Sequence, residues 1–158
     1  MSQPSKFNFD KASALILDAD LLCMQVIIGM LSGFGFRNFH RCTGCKQAVD
    51  IMNMRLIDVV ILDPAGFGDE VYDLVKWVRE SRTQINCNAT ILLTMGFASV
   101  NTVSRMKSCG ADFIICKPFS TNGLLDRLLW VANNNGMRGQ FLAPQSVVSA
   151  EGSGVDLW

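Results

Sequence analysis

The chain has 158 residues, 49% of them hydrophobic, with equal numbers of acidic and basic side chains. This length suits one domain with a real core, and the positive mean hydropathy excludes a chain that is disordered throughout. Zero formal net charge, with scattered Lys and Arg, excludes a basic surface for nucleic acid or anionic membrane. No segment approaches the length of a membrane span.

The N-terminal residues 1–11 form a polar arm, and the apolar stretch 12–17 that follows is too short for a signal peptide. We therefore expect a cytoplasmic protein. Its six cysteines should then be mostly free thiols, because disulfides rarely persist in that compartment.

Short apolar runs alternate with longer segments of helical period along the chain. The predicted strands cover residues 13–17, 36–41, 58–62, 89–94 and 113–116. The predicted helices cover residues 21–31, 44–54, 69–81, 100–108 and about 121–132, the last capped by Ser120 or Thr121. This alternation predicts an α/β fold, a five-stranded parallel sheet that is doubly wound with about five helices on its two faces.

The composition changes after the last predicted helix. We expect residues 12–133 to form the domain and residues 134–158, which are rich in Asn, Gly and Ser, to form a tail. The tail is too short for an effector domain. Any output would then pass through binding to a separate partner protein.

Polar side chains follow the predicted strands at their carboxyl ends. Asp18 and Asp20 follow the first strand, Asp63 the third and Lys117 the fifth, while Thr94 ends the fourth. In open α/β sheets, ligands bind beyond these strand ends. Carboxylates that hold Mg²⁺, a hydroxyl and an ammonium group together favour phosphoryl transfer.

Five short motifs carry a resemblance to a known family. They are Leu15-Ile16-Leu17-Asp18, Val60-Ile61-Leu62-Asp63, Leu92-Leu93-Thr94, Gly110-Ala111-Asp112 and Lys117-Pro118-Phe119. In their order and spacing the chain resembles the receiver domain of two-component response regulators, a flavodoxin-like fold. The resemblance covers residues 12–133 and is closest in kind to stand-alone receivers such as chemotaxis regulators.

The resemblance implies a role for each matching residue. Asp63 would accept a phosphoryl group from a histidine kinase or phosphotransfer protein, Thr94 would sense it, and Lys117, followed by a cis peptide bond, would contact it. The implied Mg²⁺ ligands are Asp18, Asp20, Asp63 and the backbone carbonyl of Ala65. The implied backbone donors to phosphate are the N–H groups of Ala65 and Met95.

The chain also departs from the family pattern. Ala19 stands where the family has a second acid, so we expect a weakened Mg²⁺ site unless Asp20 takes its place. Ile114 stands at the position of the family's aromatic switch, and Phe67 replaces a usual proline. The alternative is therefore a degenerate pseudo-receiver that acts as a protein-interaction adaptor without phosphate. A working receiver would catalyse at most its own phosphoryl transfer and dephosphorylation, so we do not expect a metabolic enzyme.

The first predicted helix is apolar on nearly all sides. A core-facing stripe is predicted at Cys23, Val26, Ile27, Met30 and Leu31. The neighbouring face should then be solvent-exposed and bind a partner or a second copy of the chain, unless the tail folds over it. The predicted partner face consists of Met24, Ile28, Ile114, Leu129 and Trp130.

Two other functions receive weaker support. Cys42 and Cys45 form a Cys-x-x-Cys pair, which suggests a redox centre or half a zinc site, but no second pair accompanies it. A flavin- or nucleotide-binding protein would have a Gly-rich loop after its first strand, where this chain has Asp18-Ala19-Asp20.

Overall fold

The computed structural model describes residues 9–81, 84–135 and 155–156, with backbone alone for 132–135 and 155–156. The strands are β1 (Ser13–Leu17), β2 (Asn38–Cys42), β3 (Val59–Leu62), β4 (Thr90–Met95), β5 (Phe113–Cys116) and β6 (Val155–Asp156). The helices are α1 (Leu21–Phe34), α2 (Cys45–Met54), α3 (Glu70–Glu80), α4 (Val100–Cys109) and α5 (Thr121–Asn135). No helix in the described part of the chain is long and apolar enough to cross a membrane.

All strands pair in parallel, in the order β2-β1-β3-β4-β5-β6. The predicted five-stranded parallel sheet with helices on both faces is confirmed. The two-residue β6 was not predicted; it lies in the segment assigned to the tail and pairs with Ile114 and Ile115 of β5. The rest of that tail and most of the N-terminal arm lie outside the described residues.

Alternate residues of the central strands point to opposite faces of the sheet and build two cores. Ala14, Ile16 and Ile61 belong to the core under α1 and α5. Leu15, Leu17 and Leu62 belong to the core under α2, α3 and α4. Because both faces are covered, the central strands are apolar without interruption, which is why they were recognisable in the sequence.

Helix α1 buries a different stripe from the predicted one. Met24, Ile27, Ile28 and Leu31 are its buried residues, whereas Val26 is 56% exposed. The prediction was wrong by about one residue, since a helix that is apolar on nearly all sides fits more than one stripe. Packing against the sheet selected the stripe at Met24, Ile28 and Leu31, which follows the three-and-four spacing equally well.

The predicted partner face is therefore not an exposed surface. Met24, Ile28 and Leu129 are buried under α1 and α5, and Ile114 is fully buried on the other side of the sheet. Trp130 is half-buried and meets the Phe113 ring edge-on, with 5.3 Å between ring centroids. These residues stabilise the fold. The exposed apolar side chains on α1 are Leu21, Leu22 and Val26 instead.

The core extends beyond the predicted domain start at residue 12. Phe9 is 4% exposed and stacks on Phe36, with ring centroids 4.8 Å apart. At the other boundary, Ser120 caps α5: its hydroxyl accepts a hydrogen bond from the Gly123 N–H at 2.9 Å. The sequence had left Ser120 and Thr121 open as the cap.

A side chain of α3 ties this helix to the loop before β5. Arg79 of α3 donates to the Gly110 carbonyl and to the Asp112 carboxylate, at 2.8 and 2.9 Å. Gly110 caps α4 with a φ of 102°, and a Cβ there would lie 2.8 Å from Arg79 Cγ. Glycine is thus required both by its left-handed backbone and by the close approach of Arg79.

Candidate functional site

Four polar side chains share one face of the sheet at its carboxyl edge. Asp18 and Asp63 stand two residues after Ile16 and Ile61, both of which face α1 and α5. Thr94 and Lys117 stand two residues after Leu92 and Ile115, which face the same side. Because side chains alternate along a strand, this spacing brings all four predicted site residues together above one core.

The Lys117 ammonium group joins the two carboxylates. Its Nζ donates to Asp18 Oδ2 at 2.9 Å and also to Asp63 Oδ2. Asp18 and Asp63 are 3% and 5% exposed, so little water is left to neutralise them. A cation between two buried carboxylates offsets the charge that burial makes costly.

The pKa of Lys117 reflects this arrangement. Partial burial acts to lower it, but the hydrogen bonds that Lys117 donates to Asp63 and Asp18, together with their negative charges, outweigh burial and raise the pKa above its ordinary value of 10.5. Lys117 is therefore a fixed positive charge at neutral pH. The Lys117–Pro118 peptide bond is cis, as the resemblance implied.

The loop after β3 wraps around the Asp63 carboxylate. Ala65 N–H donates to Asp63 Oδ1 at 2.8 Å, so this amide already points at the carboxylate. Gly66 has a φ of 85°, and a Cβ there would lie 3.5 Å from the Ala19 side chain. Ala19 therefore lies beside the loop that follows Asp63.

Thr94 carries a hydroxyl that is both buried and unused. The residue is 1% exposed, and its Oγ1 has no hydrogen-bond partner among the described residues. It lies one residue beyond the Leu62–Leu93 pair of β3 and β4, beside Asp63 in register. Burying a hydroxyl without a hydrogen-bond partner costs free energy of folding. The Thr94 hydroxyl can therefore donate to an oxygen of a bound group and recover part of that cost.

Asp20 was predicted to ligate a metal with Asp18 and Asp63, but its side chain bonds to the start of α1 instead. Its Oδ1 accepts from the N–H groups of Leu22 and Cys23, at 2.9 and 3.3 Å, and its Oδ2 accepts from the Cys23 thiol. These bonds lower the pKa of Asp20, the thiol contributing most. Asp20 is the N-cap of α1, and this role turns both oxygens towards the helix.

The remaining donors define what cation could bind. No group of three or more His, Cys, Asp or Glu side chains among the described residues is arranged to hold a metal. Asp18 and Asp63 leave two carboxylates, with the Ala65 carbonyl in the loop that follows Asp63. Mg²⁺ is commonly bound through one or two carboxylates and keeps its waters, so the reduced set fits it in chemistry.

Several solved structures share this fold. Chemotaxis protein CheY4 of Vibrio cholerae is 23% identical with a TM-score of 0.68, covering 76% of this chain and 98% of that one. A putative response regulator from Chloroflexus aurantiacus gives 23% identity and a TM-score of 0.68, covering 77% and 98%. The chain has the receiver fold. The sequence matches no protein-family model and no curated protein.

A third structure with the receiver fold holds groups related to the predicted chemistry. It is a response regulator from Burkholderia pseudomallei with a phosphorylated aspartic acid, a calcium ion and citrate. It is 18% identical to this chain with a TM-score of 0.67, covering 82% of this chain and 73% of that one. At 18% identity the likeness shows the fold alone.

The Cys-x-x-Cys pair has neither redox nor zinc features. Cys42 ends β2 fully buried, Cys45 begins α2, and both are free thiols. Burial raises the pKa of Cys42 to about 12 and that of Cys45 to about 11. Such thiols stay protonated at neutral pH, whereas redox and metal-binding cysteines act as thiolates.

The sequence missed three side chains at the mouth of the site. Asp63 lies in a cleft of about 340 Å³ that is also lined by Asp69, Tyr72 and Arg105. Arg105 pairs with Asp69 and lies over the Tyr72 ring. These residues come from α4, from the start of α3 and from the turn before it, and no spacing in the sequence indicates that α3 and α4 meet here.

Proposed function

We propose that this protein is a phosphorylation switch whose Asp63 accepts a phosphoryl group from a histidine kinase or phosphotransfer protein. The single observation that carries the proposal is the Lys117 ammonium held between Asp18 and Asp63. A buried carboxylate with one oxygen on a fixed cation and the other on a backbone N–H is held in place for attack. Thr94, with its unused buried hydroxyl, supports the same function.

In the proposed reaction an Asp63 carboxylate oxygen forms a bond to phosphorus. The bond between phosphorus and the donor's leaving atom breaks, and the leaving group departs with the electron pair. Lys117 exchanges its bond to Asp63 for one to a phosphoryl oxygen, and the Thr94 hydroxyl donates to another. The backbone N–H groups of Ala65 and Met95 are the remaining proposed donors. Positioning and charge neutralisation are the main catalytic means in such transfers.

A magnesium ion belongs to the same proposal. Asp18, Asp63 and the Ala65 carbonyl would hold it, and it would supply positive charge to the phosphoryl oxygens. Asp20 is left out because it caps α1. With Ala19 in place of an acid, we expect weaker binding than a site with a third carboxylate gives.

Signalling would follow from charge. A phosphoryl group adds about −1.5 to −2 charges at neutral pH, which draws Thr94 and Lys117 towards it. The changed surface would then bind a separate output protein or a second copy of the chain. The proposed compartment is the cytoplasm, where free thiols are stable. Leu21, Leu22 and Val26 form an exposed apolar face on α1 for such a contact. Leu22 and Val26 border a groove of about 220 Å³ next to Lys117 and Phe119.

A second candidate function is an adaptor that binds partners without phosphate. The observation in its favour is the reduced metal site, since no group of three metal-binding side chains exists among the described residues. The fold and the apolar face of α1 would serve such an adaptor equally well.

One measurement separates the two functions. The protein is incubated with acetyl phosphate and millimolar Mg²⁺, and its intact mass is measured. We expect a gain of one phosphoryl group in the wild type and in the Asp50→Asn control, a carboxylate exposed on α2. The Asp63→Asn variant should gain none. A wild type that gains no mass, and that binds no beryllium fluoride, would leave the adaptor as the function.

A further inference from the structure

The cleft that contains Asp63 also holds the guanidinium of Arg105. The cleft measures about 340 Å³ and is lined by Asp63 and Ala65 on the β3 side and by Thr102 and Arg105 on the α4 side. Lys117 is not among its lining residues. Arg105 is thus a second cation that lines the cleft of the proposed phosphoacceptor, in addition to Lys117 at the Asp63 carboxylate.

Two contacts hold the Arg105 side chain against the start of α3. Its Nη2 donates to Asp69 Oδ1 at 2.6 Å, and its Cζ lies 3.9 Å from the centroid of the Tyr72 ring. The Arg105 and Asp69 side chains are 47% and 76% exposed. Ion pairs this exposed contribute little free energy, so a stronger anion can displace Asp69 at small cost. The aromatic ring needs no exchange, because its attraction for the cation leaves the N–H donors free.

We propose that Arg105 binds the phosphoryl oxygens at the entrance of the cleft and that Asp69 competes with them for the guanidinium. This inference rests on the proposed function, because it concerns the same Asp63 and the same donor phosphate. In this proposal Arg105 attracts the phosphodonor. Asp69 weakens that attraction because it pairs with the same guanidinium.

The charges explain why the exchange favours phosphate. The phosphoryl group of acetyl phosphate carries up to two negative charges and several oxygens, whereas Asp69 offers one negative charge at an exposed position. A guanidinium can donate two parallel hydrogen bonds to two phosphoryl oxygens. The exposed Asp69 carboxylate offers the guanidinium no stronger bonding than this. In the reaction Asp63 bonds to phosphorus, the bond from phosphorus to the acetyl oxygen breaks, and acetate leaves with the electron pair. Arg105 gives up no proton at any point.

Two variants test the proposal through opposite effects. Arg105→Gln removes the cation, and Asp69→Asn frees it, although both break the same ion pair. With acetyl phosphate and Mg²⁺, we expect phosphorylation of Arg105→Gln to slow by about 10-fold, the scale of one hydrogen bond to a charged group. Asp69→Asn should react about 2- to 3-fold faster, the scale of an exposed ion pair. Lys46→Gln and Asp50→Asn, which break an exposed ion pair on α2, should match the wild type.

A purely structural role for the ion pair predicts a different result. It would slow both variants alike and lower both melting temperatures together, and that outcome would overturn the proposal. An unchanged rate in Arg105→Gln would overturn it as well.

A second readout does not depend on covalent chemistry. Inorganic phosphate is titrated into the protein while the Nε–H signal of Arg105 is followed by NMR. In the wild type we expect the Arg105 Nε–H signal to shift until it saturates. In Asp69→Asn the same signal should saturate at a lower phosphate concentration. In Arg105→Gln, the backbone amides of the cleft should not shift. If acetyl phosphate leaves no adduct on the wild type but inorganic phosphate shifts Arg105, the proposed function fails and the anion site stands. No shift in the wild type would refute the anion site itself.

Discussion

The Lys117 ammonium nitrogen donates to Asp18 Oδ2 over 2.9 Å while it also donates to Asp63. Replacing it in Lys117→Met leaves two buried carboxylates without a cation. We expect the free energy of unfolding at neutral pH to fall by about 2 kcal/mol, less than for a fully buried pair because the ammonium is partly exposed. Urea unfolding measures the loss, and Lys46→Met, exposed on α2, serves as the control.

The same variant has a definite pH dependence. The folded-state pKa of Lys117 lies above its ordinary value of 10.5, so its stabilising contribution is complete below that pH and is lost as pH rises through the folded value. The difference in unfolding free energy between wild type and Lys117→Met should therefore be constant from pH 7 to about 10 and shrink above it. A difference that already shrinks near neutral pH would contradict the raised pKa.

Thr94→Val should separate stability from phosphate recognition. The Thr94 hydroxyl is buried without a partner, so its removal should leave the free energy of unfolding unchanged or raise it by up to about 1 kcal/mol. Binding of beryllium fluoride should weaken by about 10-fold, since one hydrogen bond to a charged ligand is lost. Thr90→Val, in the same strand, is the matched control and should bind beryllium fluoride normally. A destabilised Thr94→Val would mean that the hydroxyl already has a partner.

Ala19→Asp should tighten Mg²⁺. Ala19 faces the loop after Asp63, near Gly66, so a carboxylate there adds an oxygen beside Asp18. We expect about a 10-fold lower dissociation constant by NMR titration, within the range of a single hydrogen bond or ligand to a charged group. Ala19→Asn, whose side chain has the size of aspartate but no charge, should tighten Mg²⁺ binding less than Ala19→Asp does. Equal affinities in wild type and Ala19→Asp would show that the site is not built for a metal.

Two alanine variants in α1 test which side of the helix is buried. Met24 is 2% exposed and Leu22 is 73% exposed. Met24→Ala should lower the free energy of unfolding by about 2–4 kcal/mol through a cavity in the core. Leu22→Ala should change it by no more than about 0.5 kcal/mol. The opposite order would contradict the burial of Met24 and the exposure of Leu22.

Local patterns were sufficient for five of the six described strands, for the five described helices and for the meeting of four polar side chains at one edge. The central strands are short apolar runs bounded by polar turns, and β1 and β5 have the bounds that were predicted. Asp18, Asp63, Thr94 and Lys117 were identified because residues at the ends of parallel strands must meet at one edge of the sheet. That argument needs only parallel strands, which the alternation of strands and helices predicts.

The side of α1 that packs on the sheet could not be read in the same way. When nearly every position of a helix is apolar, several stripes have similar hydrophobic content, and only the surface of the sheet selects one. The role of Asp20 was hidden for a related reason. A carboxylate just before a helix can ligate a metal or cap the helix, and the choice depends on where the first N–H groups of α1 point.

The alternation of strands and helices determined by itself that carboxylates, a hydroxyl and a lysine meet at one edge, because that follows from side-chain alternation and parallel strands. Only the tertiary structure decided which charges stand around them. Arg105 of α4 reaches Asp69, the residue before α3, and both line the Asp63 cleft. At the opposite end of β3, the buried Asn86 accepts from the Ile57 N–H and donates to the carbonyls of Met52 in α2 and Arg55 after it. Such contacts join residues about 30 positions apart in the chain through the packing of α3 on α4 and of loops on strands. Packing depends on side-chain shape in three dimensions, for which periodicity along the sequence carries no signal.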